Sequence, residues 1–227
     1  MANDIKAEIA HKSAEVLQKI KADPRLGLYV LTDQIPGVFM EADDVGKIRL
    51  IVIGQDPTVK NEVSCETIKT VLNLDKPHGS LHKYISLICE RLGLNLSQHV
   101  YATNYAKNFF IHPPTQIVEC NLLHEVSQYW LPLLKEELSL FPSRPIVTLG
   151  GPLLKALLVG PKKALVRQYW GYTPNWVTTK TVFSFVSEDE NKLGRRLFPF
   201  PHQPSLRKRF YSATLQSYLG YMKTNMP

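Results

Sequence analysis

Segments with apolar residues at helical spacing alternate along the chain with short, continuous apolar runs. Residues 4–21 carry apolar side chains on one helical face, which predicts an amphipathic helix near the N-terminus. The runs at 47–54, 99–106 and 145–151 are short and end in glycine or polar residues, so they predict strands. One or two further β segments are predicted over 176–186.

Helical patterns occupy the stretches between these runs. Residues 80–94 predict a helix with Ser80 as its N-cap and a glycine as its stop signal. A long helix is predicted from about Thr115, with Pro132 interrupting or kinking it, and the last helix is predicted over 205–222. Because strands alternate with helices, we expect an α/β domain with a mainly parallel sheet.

Length and composition fit one globular domain. The chain has 227 residues, and we expect a single domain over 1–227 with residues 1–44 as an N-terminal helical extension packed on it. Hydrophobic residues make up 44% and charged residues 21%, which excludes a disordered chain, a coiled coil and a collagen-like fibre. The sequence has no apolar run of membrane-spanning length and no secretory signal at its N-terminus, so we expect a cytoplasmic protein.

The positive charge is concentrated near the C-terminus. Residues 191–227 contain seven Lys and Arg and no Asp or Glu, which accounts for the whole net charge of +7. Such a basic segment attracts phosphate polyanions and favours contact with nucleic acid. The alternative is a solvated basic tail without a partner.

Three cysteines are present, at positions 65, 89 and 120. They form no CxxC pair and are too few for a four-cysteine zinc or iron–sulfur site. We expect three reduced thiols.

Polar residues follow the predicted strands. Asp56 follows the first strand, Asn104 ends the second, a Thr-Leu-Gly-Gly turn at 148–151 ends the third, and a fourth polar turn lies at 201–207. Ligands of parallel α/β sheets bind at the carboxyl ends of the strands. We therefore expect these four turns to build one cleft.

Three of these polar residues could do chemistry. Asp56 could activate a water or stabilise a developing cation, although an isolated Asp before Pro more often caps a turn. The Asn104 amide could pair with the edge of a pyrimidine, or could belong to a tight turn. His202 could donate to a leaving-group oxygen, or could be a structural histidine.

The residues after His202 suggest contact with a polyanion. Ser205 could bind a phosphate or cap the last helix. Leu206 is apolar at a basic tip, where we do not expect it to be buried, and such a residue can wedge into a base stack. An ordinary first-turn leucine is the alternative.

Five segments together resemble the uracil-DNA glycosylase superfamily. They are VIGQDP (52–57), KPHGSLHKYISLI (76–88), ATNYAKN (102–108), TLGG (148–151) and PHQPSLRKRF (201–210). Their order and spacing agree with the family over roughly residues 45–215. The resemblance implies a three-layer α/β/α sandwich with a central, mainly parallel four-stranded sheet.

The resemblance also implies a function in base-excision repair. The family flips a damaged base out of DNA into a pocket and hydrolyses its N-glycosidic bond. By this match Asp56 would activate water or stabilise the cationic sugar, and His202 would stabilise the leaving base. Gln55 and Asn104 would bind the base. The implied partner is DNA, contacted by a monomer without a cofactor, and the implied DNA-binding residues are Ser80, Ser205, Leu206, Arg207 and Lys208.

The sequence departs from the family pattern at two points that affect base preference. Thr58 stands where the family has a tyrosine that excludes thymine. No aromatic residue lies between Thr58 and His82, where the family has an aromatic that stacks on the base. Tyr105, Phe109, Phe110 or a C-terminal aromatic could take its place.

Two other functions stay open on the sequence. One is a non-catalytic DNA-binding protein with the same fold, which the missing aromatic favours. The other is an unrelated α/β hydrolase of nucleosides or phosphorylated small molecules. The sequence contains no GxxxxGK[ST] phosphate-binding loop that would favour the latter.

Overall fold

A central parallel sheet organises the structure, a computed structural model that describes residues 2–57, 62–117, 120–160 and 165–226. Its strands are β1 (Leu50–Gly54), β2 (Val100–Asn104), β3 (Ile146–Leu149) and β4 (Leu197–Phe200). They lie in the order β2-β1-β3-β4, and every neighbouring pair is parallel. The predicted α/β fold with a four-stranded parallel sheet is confirmed.

The register brings the carboxyl ends of the strands to one edge. Gly54 of β1 pairs with Asn104 of β2, and Leu149 of β3 pairs with Phe200 of β4. The chain therefore leaves all four strands on the same side of the molecule, where each following turn can contribute to a common site.

Helices cover both faces of the sheet, in which every strand residue is buried. They are α1 (Ala2–Ala22), α2 (Ser80–Leu92), α3 (Leu96–His99), α4 (Leu122–Glu125), α5 (Ser127–Ser139), α6 (Gly151–Leu157), α7 (Val166–Tyr169) and α8 (Arg209–Asn225). Helix α1 packs against α5, and α2 packs against α8. This arrangement is the three-layer α/β/α sandwich, with strands that are apolar throughout because both faces are buried.

The N-terminal helix joins the core through its apolar stripe. Ile9, Leu17 and Ile20 are buried, and the exposed side of the helix is tied to α5 by an ion pair between Lys12 and Glu136. Among the helices of the described residues, none is long and apolar enough to cross a membrane.

The prediction of β structure over 176–186 is wrong. Only Val186 joins the sheet, through an antiparallel bridge to Leu197. Val177 and Val182 are 66% and 71% exposed, so their alternation with polar residues does not mark a buried face. The fourth strand is β4 instead, and its Pro199 is tolerated because β4 lies at the edge of the sheet.

Two predicted helix starts also need correction. Gly79, rather than Ser80, is the N-cap of α2, and Ser80 is the first helical residue. The predicted glycine stop is confirmed, since Gly93 adopts the left-handed conformation (φ 75°). The last helix begins at Arg209, because the preceding residues Gln203–Arg207 form a 3-10 helix.

The long helix predicted from Thr115 is divided. A 3-10 turn spans Pro114–Gln116, and the helical part begins only at α4. Helix α4 ends at Glu125, and Val126 separates it from α5. Helix α5 continues through Pro132. Proline has no backbone N–H, so the carbonyl of Gln128 lacks its helical hydrogen bond from residue 132. Gln128 and Pro132 are both exposed, so water can supply the missing hydrogen bond.

Candidate functional site

A cleft of about 570 Å³ opens at the carboxyl edge of the sheet. The turns after β1, β3 and β4 supply Asp56, Gly150 and His202 to its walls. Loop residues 72–73 and 113–116 complete the lining. The expectation that the polar strand ends meet in one cleft is therefore met for three of the four strands.

Asp56 lies half-buried on the wall that follows β1. Its Oδ1 accepts a hydrogen bond from Gln55 Nε2 at 2.5 Å. The backbone of Gln55 is tied in turn to the segment after β2, because Ala106 N donates to the Gln55 carbonyl at 2.9 Å. The carboxylate thus sits on a fixed turn with its edge toward the cleft.

His202 lies on the wall that follows β4. The Tyr84 hydroxyl donates to the carbonyl of Pro201 at 3.0 Å and holds the turn in place. Gly150 lies beside this wall, since a side-chain carbon there would be in ordinary van der Waals contact with His202 Cβ, at 3.9 Å. The protein around the exposed ring still lowers the pKa of His202 by desolvation, which favours a neutral imidazole with one N–H donor.

The Asn104 amide lies behind the cleft wall rather than on it. Asn104 is fully buried, and neither its Oδ1 nor its Nδ2 has a hydrogen-bond partner among the described residues. A side-chain carbon at Gly54 would lie 2.3 Å from Asn104 Oδ1 and 2.7 Å from Leu72 Cδ2. The absence of a side chain at Gly54 leaves the space that the amide and the leucine occupy.

A buried ion pair supports the strand that carries Asn104. Lys107 and Glu137 are 3% and 1% exposed, and their charged groups are 2.7 Å apart. Glu137 Oε2 also accepts from the Tyr101 hydroxyl at 2.7 Å and from Thr103 Oγ1 at 3.0 Å. Burial, with the carboxylate beside it, raises the pKa of Tyr101 well above its usual range, so its hydroxyl remains a donor.

Three of the seven C-terminal bases are structural. Lys192 Nζ donates to the Ala156 carbonyl at 2.7 Å, and the Arg195 guanidinium binds three backbone carbonyl oxygens between residues 138 and 144. Arg196 donates to the carbonyl of Asn225 and lies at the amino end of β4. These cations face away from the cleft, so the basic segment is not one continuous surface.

The bases beside the cleft follow His202. Arg207 and Lys208 are exposed at the end of the 3-10 helix, as is Arg209 at the start of α8. Ser205 is half-buried, and its backbone N–H donates to the His202 carbonyl at 2.8 Å. Leu206, expected to be unburied, is half-buried and packs against the core, because the 3-10 turn folds it inward.

The other residues predicted for the site lie as follows. Ser80 is exposed in the first turn of α2, next to the cleft residue Leu81. Tyr105, Phe109 and Phe110 are buried in the core. None of the three is among the described residues that line the cleft. Thr58 lies outside the described residues.

The cleft walls are aliphatic where an aromatic was expected. Among the described lining residues there is no Phe, Tyr or Trp. The apolar surface comes instead from Ile68, Leu72, Leu81, Pro113 and Leu149. These side chains can pack on a flat ligand but give no ring-on-ring stacking.

Leu72 and Asn73 are cleft residues that no sequence motif indicates. Both line the cleft, and both adopt left-handed backbone conformations, with φ of 58° and 50°. Asn tolerates this region, whereas leucine seldom occupies it. The only signal in the sequence is an Asn within an apolar stretch, which is too common to be informative.

Within the described residues, no three His, Cys, Asp or Glu side chains cluster as a metal site would require. Comparison of the sequence with protein-family models and with curated proteins found no match. The geometry of the cleft and the motifs around it are therefore the basis for a functional assignment.

Proposed function

We propose that the protein is a monofunctional DNA glycosylase that hydrolyses the N-glycosidic bond of a damaged base flipped out of DNA. The observation that carries this proposal is that Asp56 and His202, from the turns after β1 and β4, line the same cleft. The volume of about 570 Å³ accommodates a nucleobase with its sugar.

The reaction needs a base for water and a donor for the leaving group. Water attacks C1′ of the sugar and passes a proton to the Asp56 carboxylate, which also offsets the positive charge that develops on the sugar. The bond from C1′ to the base nitrogen breaks, and its electron pair leaves with the base. His202 donates its N–H to an oxygen of the departing anion, a task that a neutral imidazole performs without losing its proton.

Exposed cations support the binding of DNA beside this cleft. Arg207, Lys208 and Arg209 lie within seven residues of His202, so they could contact phosphates next to the flipped nucleotide. Ser80, next to the cleft residue Leu81, and Ser205, two residues after the cleft residue Gln203, could bind further phosphates. We also infer that the protein acts as a cytoplasmic monomer.

The decisive experiment is alkaline strand cleavage of labelled oligonucleotides after incubation with the protein. The panel contains uracil, hypoxanthine, xanthine, 8-oxoguanine and a T·G mismatch, each in single and double strands. Asp56→Asn should abolish most cleavage with DNA binding retained, and Asp189→Asn, an exposed carboxylate outside the cleft lining, should leave cleavage unchanged. Equal loss of binding in Asp56→Asn would refute the catalytic role.

A second candidate is a non-catalytic DNA-binding protein. The observation that favours it is the lack of an aromatic side chain among the described residues of the cleft. Salt-dependent DNA binding without cleavage of any oligonucleotide in the panel would establish this second function in place of the first.

A further inference from the structure

One wall of the cleft is a turn in an uncommon conformation. Leu72 and Asn73 follow each other with φ of 58° and 50°, inside the 3-10 segment Val71–Asn73. A left-handed backbone brings Cβ of an L-residue close to its own carbonyl oxygen, so a leucine adopts it only where surrounding contacts impose it. Such outliers concentrate at ligand-binding and switching sites.

The turn places the Leu72 side chain beside Gly54, where the Asn104 amide also lies. Leu72 Cδ2 and Asn104 Oδ1 both lie within 3 Å of the position that a Gly54 side chain would occupy. Leu72 faces the cleft and Asn104 is shielded from it. Leu72 therefore separates the open cavity from the Asn104 amide.

Three amide atoms around this turn are shielded from water and have no hydrogen-bond partner in the described part of the chain. They are Asn73 Oδ1, Asn104 Oδ1 and Asn104 Nδ2. Buried polar atoms of this kind are normally satisfied, because leaving them unpaired is costly. Together with the left-handed leucine, they make the closed turn unfavourable relative to a state in which a ligand satisfies all three atoms.

We propose that the Leu72–Asn73 turn is a cover that opens over Asn104 to admit a planar base with two hydrogen-bond donors and one acceptor on one edge. This inference rests on the proposed glycosylase function. The pattern follows from the atoms themselves, since two amide oxygens accept and one amide nitrogen donates.

The class of base that fits this pattern is a 2-amino-6-oxopurine, as in guanine and its damaged forms. Its O6 would accept from Asn104 Nδ2, its N1–H would donate to Asn104 Oδ1, and its 2-amino group would donate to Asn73 Oδ1. Uracil has a second carbonyl oxygen, and hypoxanthine a C2–H group, at the position of the 2-amino group. Neither base would donate to Asn73 Oδ1, so both would leave it unsatisfied.

The test compares two ligands that differ only in the 2-amino group, 2′-deoxyguanosine and 2′-deoxyinosine. Dissociation constants are measured by titration of ¹⁵N-labelled protein, with the side-chain amide signals of Asn104 as reporter. The wild type should bind deoxyguanosine about five- to tenfold more tightly, the effect of one added neutral hydrogen bond in a buried site. The Asn104 signals should shift, because the amide loses its cover and gains partners.

Two variants isolate the Asn73 acceptor without disturbing the turn. Asn73→Gly keeps the left-handed backbone and removes the acceptor, so the affinity ratio should fall to about one. Asn73→Asp keeps both the conformation and the acceptor, so the preference for deoxyguanosine should persist or increase.

Each result bears on a different statement. Equal affinities in the wild type, or an unchanged ratio in Asn73→Gly, would overturn the role of the turn while leaving the glycosylase proposal intact if a lesion is cleaved. Binding of neither nucleoside, together with no cleavage of any oligonucleotide, would overturn both.

Discussion

Substitution of Gly54 by alanine tests whether the packing of Asn104 and Leu72 beside Gly54 controls the stability and the activity of the cleft. The added carbon would lie 2.3 Å from Asn104 Oδ1 and 2.7 Å from Leu72 Cδ2, both well inside van der Waals contact. Gly54 ends β1 and is held in register with Asn104, so its backbone cannot shift without breaking the ladder. Either the amide or the leucine must move.

The size of both effects can be worked out from this geometry. Overpacking at a buried site costs about 1–3 kcal/mol of unfolding free energy. Displacement of the amide removes two hydrogen bonds to the base, each worth about 0.5–1.5 kcal/mol, so single-turnover cleavage should slow by roughly 5- to 150-fold. Binding to undamaged DNA, which on the proposed function depends on surface cations, should change little.

The assays are urea denaturation and single-turnover cleavage of the best oligonucleotide of the panel. Gly220→Ala in α8 is the matched control, because a side-chain carbon there would have nothing within 4 Å. That change should stabilise the protein by about 0.5–1 kcal/mol through helix propensity alone and leave cleavage unchanged. If Gly54→Ala were as stable and as active as Gly220→Ala, the packing of Asn104 and Leu72 against Gly54 would be wrong.

Three shorter predictions follow from charge and burial. Arg207→Ala should reduce the magnitude of the slope of log DNA affinity against log salt concentration by about 0.9, which corresponds to one phosphate contact. Lys223→Ala, at the far end of α8, should leave the slope unchanged. Equal slopes for the two variants would show that Arg207 does not contact DNA. Because burial lowers the pKa of His202 below its unfolded value of 6.5, the unfolded state binds the proton more readily. The stability of the wild type relative to His202→Gln should therefore decline as pH falls through 6.5. Denaturation at pH 7.5 and 5.5 measures this difference, and a larger relative stability at pH 5.5 would contradict the prediction. Burial raises the pKa of Cys89 to about 12, so iodoacetamide should alkylate this thiol only after denaturation, as measured by mass spectrometry. Rapid labelling of the native protein would contradict this and show that helix α2 opens.

The sequence was sufficient to predict the parallel sheet because strands buried on both faces are continuously apolar. The run that forms β1 has this character and ends where the structure ends it, at Gly54. The strand β4 escaped prediction because Pro199 argues against a strand unless the edge position is known. Conversely, the alternating pattern over 176–186 arises from aromatic side chains that pack on α8, such as Trp176 against Phe210 with ring centroids 5.2 Å apart.

The candidate site was predictable where it depends on strand ends and not where it depends on a turn. Placement of Asp56 and His202 on one cleft follows from the topology of a parallel sheet. The cover of Asn104 by Leu72 depends on a left-handed leucine, a conformation that tertiary contacts impose and local sequence does not signal. The number of C-terminal bases likewise could not show that the Arg195 guanidinium is hydrogen-bonded to backbone carbonyls at the other end of the sheet.

The two sides of the covered amide differ in how firmly they are built. On one side, Lys107 Nζ lies 3.4 Å from the Asn104 carbonyl oxygen and 2.7 Å from Glu137, so the strand end carrying the amide is held by a buried ion pair that would be costly to break. On the other side, the turn at Leu72 combines left-handed backbone conformations with an amide oxygen, Asn73 Oδ1, that lacks a partner among the described residues. We therefore expect the turn to move and Asn104 to stay in place when a ligand enters. On the proposed function, the selectivity of the cleft would then depend on the hydrogen bond that the turn gains from the base.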